Sequence, residues 1–492
     1  MTDSFPTAAS ASGPPGSSAL ATGNAATTAA GAAVLRAGGG AVDAAVAAGF
    51  ASAVAEPGLT SLAGGGFATV VQPDGTSEVL DFFTAVPGIA LEHPRTEPAT
   101  ITVKYPSAQQ DFRVGPASAA VPGMLGGLLE LHRRYGSLPL AVVVGPSLEL
   151  AKAGAVVDEA QAYVLSLIEA IVRHTESAAS VYAPEGKLLR AGEVLRDDEL
   201  ADFLARIASG DVTSANSPAF AEPLLGMAQV GCSITPADLR EYLPIWRSAL
   251  TADVRDWRVI TNPEPAYGGQ IILRTLERMT EFDYADLTAE LTLATAEVKA
   301  ELAASAGTTH ISVIGADGVV VSMTTTNGAG GGVLIPGIGV HLNNMLGEDD
   351  LLPAGLEAVA PGERLRSMSA PTVLQAPDGT VTALGSGGSA RIRTAITTVA
   401  GLLRDRGYGL ADALAAPRAH QEDSGLVQAE AGIGAAELRS LTERFEVNVW
   451  DVTDFYFGGV NAVQRLPDGS TVAAADHRRN GCVAIIEPQR RT

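Results

Sequence analysis

Ala303-Ala304-Ser305-Ala306-Gly307-Thr308-Thr309-His310-Ile311-Ser312 is the stretch on which the reading of this chain turns. Five small residues run straight into a pair of threonines, and the segment from Ile311 to Ile314 then has the character of a strand. A threonine at the mouth of a strand has a bland use, as the β-branched residue that starts it. It also has a chemical use. A Thr hydroxyl is a weak nucleophile until a base accepts its proton. If the peptide bond before it is cut, the new α-amine supplies that base from the same residue, because its ordinary pKa of about 7.7 to 8.0 leaves much of it neutral near pH 7.5. Thr308 is therefore a candidate nucleophile, and Gly307 the residue across the bond to be cut.

Around this stretch the chain alternates between hairpins and helices. Ile311 to Ile314, the turn Ala316-Asp317-Gly318 and Val319 to Thr325 read as one hairpin. Others surround Pro73-Asp74-Gly75, Pro377-Asp378-Gly379 and Pro467-Asp468-Gly469, where Asp-Gly supplies the turn between two apolar runs. Ala21 to Ala55 is Ala-rich with helical spacing, residues 120 to 240 read as mostly helical, and one helical run is expected from Tyr267 to Ala304. Arg391 to Arg406 and Leu410 to Ala416 are further helices. Strands inside and helices outside make a layered sandwich.

Composition narrows the partners. The 492 residues carry a formal charge of −22, a poor match for nucleic acid or an anionic membrane surface, which both require clustered Lys and Arg. A hydrophobic content of 46% excludes a disordered chain. Cys232 and Cys482 are too few for a disulfide framework and read as two buried thiols. Residues 1–20 are Ser/Ala/Gly/Pro-rich and read as a flexible lead-in. With no basic segment before the first apolar one, and no span long enough for a bilayer, a cytoplasmic location is expected. Gly64-Gly65-Gly66 lacks the Lys-Ser/Thr of a phosphate loop. The seven histidines are scattered, and His310 reads as strand packing rather than a metal ligand, so no metal or cofactor is called for. The 54 glycines exceed the usual share and require a local explanation.

Taken together, the motifs resemble the γ-glutamyltransferase family of N-terminal-nucleophile hydrolases. The resemblance rests on Thr308-Thr309-His310-Ile311-Ser312, Thr324-Thr325-Thr326-Asn327, Leu342-Asn343-Asn344-Met345, and Arg366-Ser367-Met368-Ser369-Ala370-Pro371-Thr372. It continues through Gly385-Ser386-Gly387-Gly388-Ser389-Ala390-Arg391-Ile392, Ala416-Pro417-Arg418 and Ala475-Asp476-His477-Arg478. Upstream, Ala41-Val42-Asp43-Ala44-Ala45-Val46, Gly64-Gly65-Gly66-Phe67, Val121-Pro122-Gly123 and Tyr267-Gly268-Gly269 fall in the family's order. The resemblance implies an α/β fold, a four-layer αββα sandwich. It implies a precursor that cuts itself between Gly307 and Thr308. The large subunit, 21–307 behind the lead-in, and the small subunit, 308–492, would stay associated. Thr308 would attack the γ-amide of a small-molecule donor, and water or an acceptor amine would resolve the acyl-enzyme, with hydrolysis favoured. The backbone N–H groups of Gly388 and Ser389 would hold the oxyanion. Thr326 would hydrogen-bond the Thr308 amine or hydroxyl, while Asn327 and Glu348 would meet the donor's α-amino group.

This chain departs from the family at the donor carboxylate. The family places an Arg after an Asp-Phe pair; here Asp81-Phe82 is followed by Phe83, which removes a bidentate clamp. Ser367 matches one of an adjacent serine pair, and Arg366 replaces the other, so Arg366 is expected to restore the charge. The segment from Glu348 to Ser367 is also short, which implies a more open site. Two other readings stand beside the first: an acylase for glutaryl-like or other amides, and an uncleaved, catalytically silent binding protein of the same fold.

Overall fold

Period-two alternation in the hairpin after Thr308 sets the layers. Ile311, Val313, Val321 and Met323 pack outward into a helical cluster, while Ile314 and Val320 pack inward with Val373, Ala383 and Val463 of a second sheet. Both faces of the hairpin are therefore covered, and it is buried throughout. The structure, a computed structural model, describes residues 9–104, 109–301, 308–348, 351–352 and 355–488.

In chain order the strands of the two large sheets are β1 (Ala9–Gly13), β2 (Ser18–Thr22), β3 (Gly65–Val71), β4 (Ser77–Asp81), β5 (Ile245–Ser248), β6 (Leu250–Val254), β7 (Trp257–Thr261), β8 (Thr309–Ile314), β9 (Val320–Thr326), β10 (Thr372–Gln375), β11 (Val381–Gly387), β12 (Gly459–Arg465), β13 (Thr471–Ala475) and β14 (Cys482–Ile486). One sheet runs β14-β2-β8-β9-β3-β4-β5, the other β1-β13-β12-β11-β10-β7-β6. All pairings in both are antiparallel. Helices α1 (Ala25–Arg36), α2 (Ala41–Ala55), α3 (Met124–Tyr135) and α4 (Leu140–Ala153) pack with the first sheet's outer face in one cluster. Beyond α5 (Glu159–Leu167), helices α6 (Gly268–Arg278), α7 (Tyr284–Glu301), α8 (Arg391–Asp405) and α9 (Leu410–Ala415) pack with the second. The result is the four-layer αββα sandwich.

Small residues bring these layers close. A Cβ at Gly49 of α2 would lie 2.7 Å from Leu128 Cδ2 and 3.2 Å from Met323 Cε, so α2 packs tightly between α3 and β9. Asn24 caps α1, its Oδ1 accepting from Ala26 N at 2.8 Å.

Some boundaries differ from the sequence reading. The lead-in expected over 1–20 is strand from Ala9 onward: β1 pairs with β13, and β2 lies between β14 and β8 with every residue buried. Its low complexity hid alternating Ser and Ala that suit tightly stacked sheets. The helix expected from Tyr267 divides after Arg278. Asp283 starts a new helix by accepting from Ala285 N at 2.8 Å, and Phe282 turns inward against Gly401, whose missing Cβ makes the room. The expected stop of that run, Ala303 to Gly307, lies outside the described residues. Cys232 is buried as expected, but Cys482 is half-exposed. Among the described residues, no helix is long and apolar enough to cross a membrane.

Candidate active site

Thr308 sits at the end of β8 with its neighbours fixed by the ladder. Thr309 pairs with Thr325, and one step further the register sets Thr308 opposite Thr326, which itself pairs with Gly65. His310 and Ser312 face the second sheet: the Ser312 hydroxyl donates to Asn461 O at 3.0 Å, and a Cβ at Gly385 would strike the His310 ring at 2.3 Å. Carried back, the same alternation turns Thr308 toward that sheet. Both Thr308 and Thr326 are buried. His310 contacts the Thr324 hydroxyl through Nδ1 at 2.8 Å and the Ser312 hydroxyl through Nε2 at 2.9 Å, and burial pushes its pKa down to about 3. It is a neutral brace between the sheets.

The second sheet presents a turn to Thr308. β11 ends at Gly387, where a Cβ would lie 2.1 Å from the Thr308 carbonyl oxygen, so only glycine fits. Gly388 and Ser389 follow with φ of +128° and +54°, and α8 begins at Arg391. A left-handed serine costs roughly 1 kcal/mol relative to the ordinary regions. Here the turn is fixed by Arg391 N donating to Gly388 O and Ile392 N to Ser389 O, both at 3.0 Å. The turn therefore stands at a helix N-terminus, where backbone N–H groups and the helix dipole favour negative charge.

On the other side of Thr326 the backbone loops through Asn327 to Gly332. Gly328, at φ +67°, lies against Asn344 and Glu348: a Cβ there would fall 2.2 Å from Asn344 Oδ1 and 3.0 Å from Glu348 Oε1. Ala329 N donates to both, at 2.9 and 3.2 Å. Asn327 is fully buried, and neither its Oδ1 nor its Nδ2 has a hydrogen-bond partner among the described residues. A buried amide left unpaired is costly, so this one is a candidate ligand contact. Asn327 and Glu348 thus come from separate loops that meet at the Gly328-Ala329 backbone.

Phe83 is fully buried and stacks on Phe67 with ring centroids 5.3 Å apart, in an apolar cluster with Met345, Leu346 and Leu365. Arg366 and Ser367 run beside it, since Leu365 N donates to Thr84 O at 2.9 Å. Arg366 is half-buried, and Ser367 is buried with its hydroxyl accepting from Ser369 N at 3.1 Å. Neither touches Asn327 or Glu348 through a hydrogen bond. Gly307 lies outside the described residues.

Three neighbours of Thr308 escaped the sequence reading. Glu56, just after α2, accepts from Thr309 and Thr27 hydroxyls, each at 2.6 Å, and burial pushes its pKa up to about 7 against those two hydrogen bonds. Asp158 accepts from Asn24 Nδ2 at 2.9 Å, and Arg479 stacks its guanidinium over Phe455 at 3.6 Å. All three line a narrow cleft together with Thr308. Their signal was positional only, an acid closing an Ala-rich helix and an Arg beside the Asp476-His477-Arg478 motif.

Comparison with known proteins fits this arrangement. The family model described as gamma-glutamyltranspeptidase matches residues 27–303 and 289–486. An acylase ACY 1 proenzyme from Pseudomonas sp. (strain SE83) is 30% identical, the alignment covering 90% of this chain and 89% of that protein. A glutathione hydrolase proenzyme from Escherichia coli (strain K12) is 27% identical, over 89% and 86%. In fold, the chain is similar to the crystal structure of a cephalosporin acylase from Bacillus halodurans, with a TM-score of 0.81 at 24% identity over 98% and 97% of the two chains. A family model spanning nearly the whole chain and a relative at 30% identity across nine-tenths of it lead to one conclusion: the chain belongs to the γ-glutamyltranspeptidase family.

Proposed function

We propose that this protein is a self-processing amide hydrolase that works through an N-terminal Thr308, with γ-glutamyl amides as its donors. The chain cuts itself between Gly307 and Thr308. The freed Thr308 amine then takes the proton from the Thr308 hydroxyl, whose oxygen attacks the donor carbonyl. The N–H groups of Gly388 and Ser389 hold the oxyanion. As the amide C–N bond breaks, the amine product leaves with that proton, and water releases the acyl group. Thr326 orients Thr308, and Asn327 with Glu348 binds the donor's α-ammonium group. Large and small subunits remain associated. The observation that supports this reading is the close approach of Gly387 to the Thr308 carbonyl oxygen, which sets the Gly388-Ser389 turn next to the residue proposed as nucleophile.

A second reading, an acylase whose acyl group lacks the full amino-acid head, is favoured by one observation. Phe83 and its stacked partner Phe67 are apolar where a carboxylate clamp would be needed, and the Arg364 guanidinium beside them is taken up by Phe83 O and Leu243 O. Denaturing electrophoresis tests both readings at their root. The wild type is expected as two bands with Thr308 at the start of the smaller, and Thr308→Ala as one. A wild-type chain that stays whole after long incubation supports the silent binding protein instead. γ-Glutamyl, glutaryl and simple acyl anilides then rank the donors. Arg366→Ala is expected to raise KM for the γ-glutamyl anilide far more than for an uncharged acyl anilide, and equal effects reject its role.

A further inference from the structure

The loop from Asn327 to Gly332 after β9 is buried throughout, so each of its backbone N–H groups needs an acceptor within the protein. Asn327 N donates to Leu59 O at 3.2 Å, Gly328 N to Thr326 Oγ1 at 3.1 Å, and Gly331 N to Leu342 O at 2.7 Å. Ala329 N and Gly330 N both reach Asn344 Oδ1. The last of them, Gly332 N, donates to His341 Nε2 at 3.1 Å. A histidine ring thus closes the far end of the loop that carries Asn327.

That bond assigns the ring's tautomer, since an accepting Nε2 carries no proton. Nδ1 then carries it and faces the buried Tyr182 hydroxyl at 3.3 Å. Burial pushes the His341 pKa down to about 4, so the ring stays neutral and Nε2 remains an acceptor near neutral pH. The ring also shapes the loop by contact. A Cβ at Gly330, where φ is +85°, would stand 2.6 Å from His341 Cε1, so the backbone lies directly against the imidazole. His341 is itself held by its neighbours. Its backbone pairs with Leu334, its carbonyl accepts from the Ser61 hydroxyl at 2.6 Å, and the Tyr182 ring leans on it with centroids 5.4 Å apart. Tyr182 ends the short helix Glu176–Tyr182, whose capping residue Thr175 donates through its hydroxyl to Gly332 O at 2.7 Å.

We propose that His341, backed by Tyr182, is a positioning residue that holds the Asn327 loop in the shape presenting the Asn327 amide to the donor's α-ammonium group. The inference rests on the donor reading above and adds two residues that the sequence motifs leave out.

The test uses the processed protein and two anilides that differ only in the α-amino group, γ-glutamyl and glutaryl. The wild type is expected to show the lower KM for the γ-glutamyl anilide. His341→Leu removes the acceptor and should raise that KM about tenfold, leaving kcat and the glutaryl KM within about twofold. His341→Gln, whose amide oxygen can stand where Nε2 does, should restore most of the loss. Equal losses on both anilides, or a Gln variant no better than Leu, would make His341 a general brace and overturn the proposal. Hydrogen exchange separates this inference from the donor reading. Amides of residues 328–332 should exchange faster in His341→Leu and close to the wild-type rate in His341→Gln, with β8 and β9 unchanged in both. Unchanged exchange in His341→Leu overturns the proposal whatever the substrate. A wild type that treats the two anilides alike, while exchange follows the expectation, sinks the donor reading and leaves the positioning of the loop by His341 standing. If His341→Leu does not fold, Tyr182→Phe, which strips the partner from Nδ1, carries the same measurements with smaller effects in the same direction. Wild-type behaviour of that variant would then overturn the proposal.

Discussion

Glu56 illustrates how a single buried acid shapes behaviour that sequence motifs do not announce. Burial raises its pKa from 4.5 to about 7, while hydrogen bonds from Thr27 and Thr309 oppose the rise. Between those two values the folded chain holds a proton that the unfolded chain has released. Stability should therefore be full below about pH 4.5, fall as the pH rises toward 7, and level off above it, by on the order of 3 kcal/mol in total. Glu56→Gln keeps an acceptor for one threonine and removes the titration. Melting followed from pH 5 to pH 8 should show a flatter profile, with the variant a few degrees above wild type at pH 8. Ser389 offers a second expectation at this scale. Its φ of +54° favours glycine, so Ser389→Gly should gain up to about 1 kcal/mol in denaturant unfolding. It should leave self-cleavage and turnover intact if only the residue 389 N–H takes part.

At the scale of elements, the decisive object is the approach of the β11–α8 turn to the end of β8. The second sheet offers no side chain at these two positions, which is why Gly385 faces the His310 ring and Gly387 the Thr308 carbonyl oxygen directly. Gly387→Ala would put a methyl group 2.1 Å from a backbone oxygen that has no rotamer by which to yield. That variant should push β8 and β11 apart and leave the chain uncut on a denaturing gel, even if it folds. Gly75 is the control, a hairpin glycine whose Cβ would meet nothing within 4 Å, though its φ of +87° strains any replacement. Gly75→Asn, which tolerates left-handed backbone, should be cut as fast as wild type. The glycine surplus thus divides into turn glycines and contact glycines, and only the second kind bears on the site.

Across the whole molecule, the order of strands interleaves the two segments that self-cleavage would create. In one sheet β2 lies between β14 and β8, and β9 is followed by β3; in the other β1 stands beside β13, and β7 beside β10. Once cut before Thr308, the subunits should co-elute on gel filtration and part only in denaturant, because separating them means breaking ladders in both sheets. A buried ionic cluster supports the small segment from behind. Arg418, Glu430, Asp476 and Arg478 are all buried; Arg418 pairs with Asp476 at 2.5 Å and donates to Phe457 O and Gly458 O, while Arg478 pairs with Glu430 at 2.7 Å. Removing one partner strands another charge away from water, so Arg418→Met should cost about 3–5 kcal/mol in denaturant unfolding. Gly458 lies 3.0 Å from the Cβ position of Gly388, so the same substitution should also slow self-cleavage.

The sequence by itself determined the hairpins, because Asp-Gly turns between alternating apolar runs are local signals, and it singled out Thr308, the residue just ahead of β8. Its motifs also marked Gly388, Ser389, Asn327, Glu348, Arg366 and Ser367, although only the folded chain could say how they group. Tertiary structure decided the rest. It brought the loops of Asn327 and Glu348 together and set Arg366 beside Phe83, it recruited the Ser/Ala-rich start of the chain into both sheets, and it brought Glu56, Asp158 and Arg479 to Thr308 from segments more than a hundred residues away. The physical reason is that turn geometry and strand alternation are short-range properties of the backbone. Burial, pKa and the meeting of charges depend on which distant segments the packing of two sheets forces together.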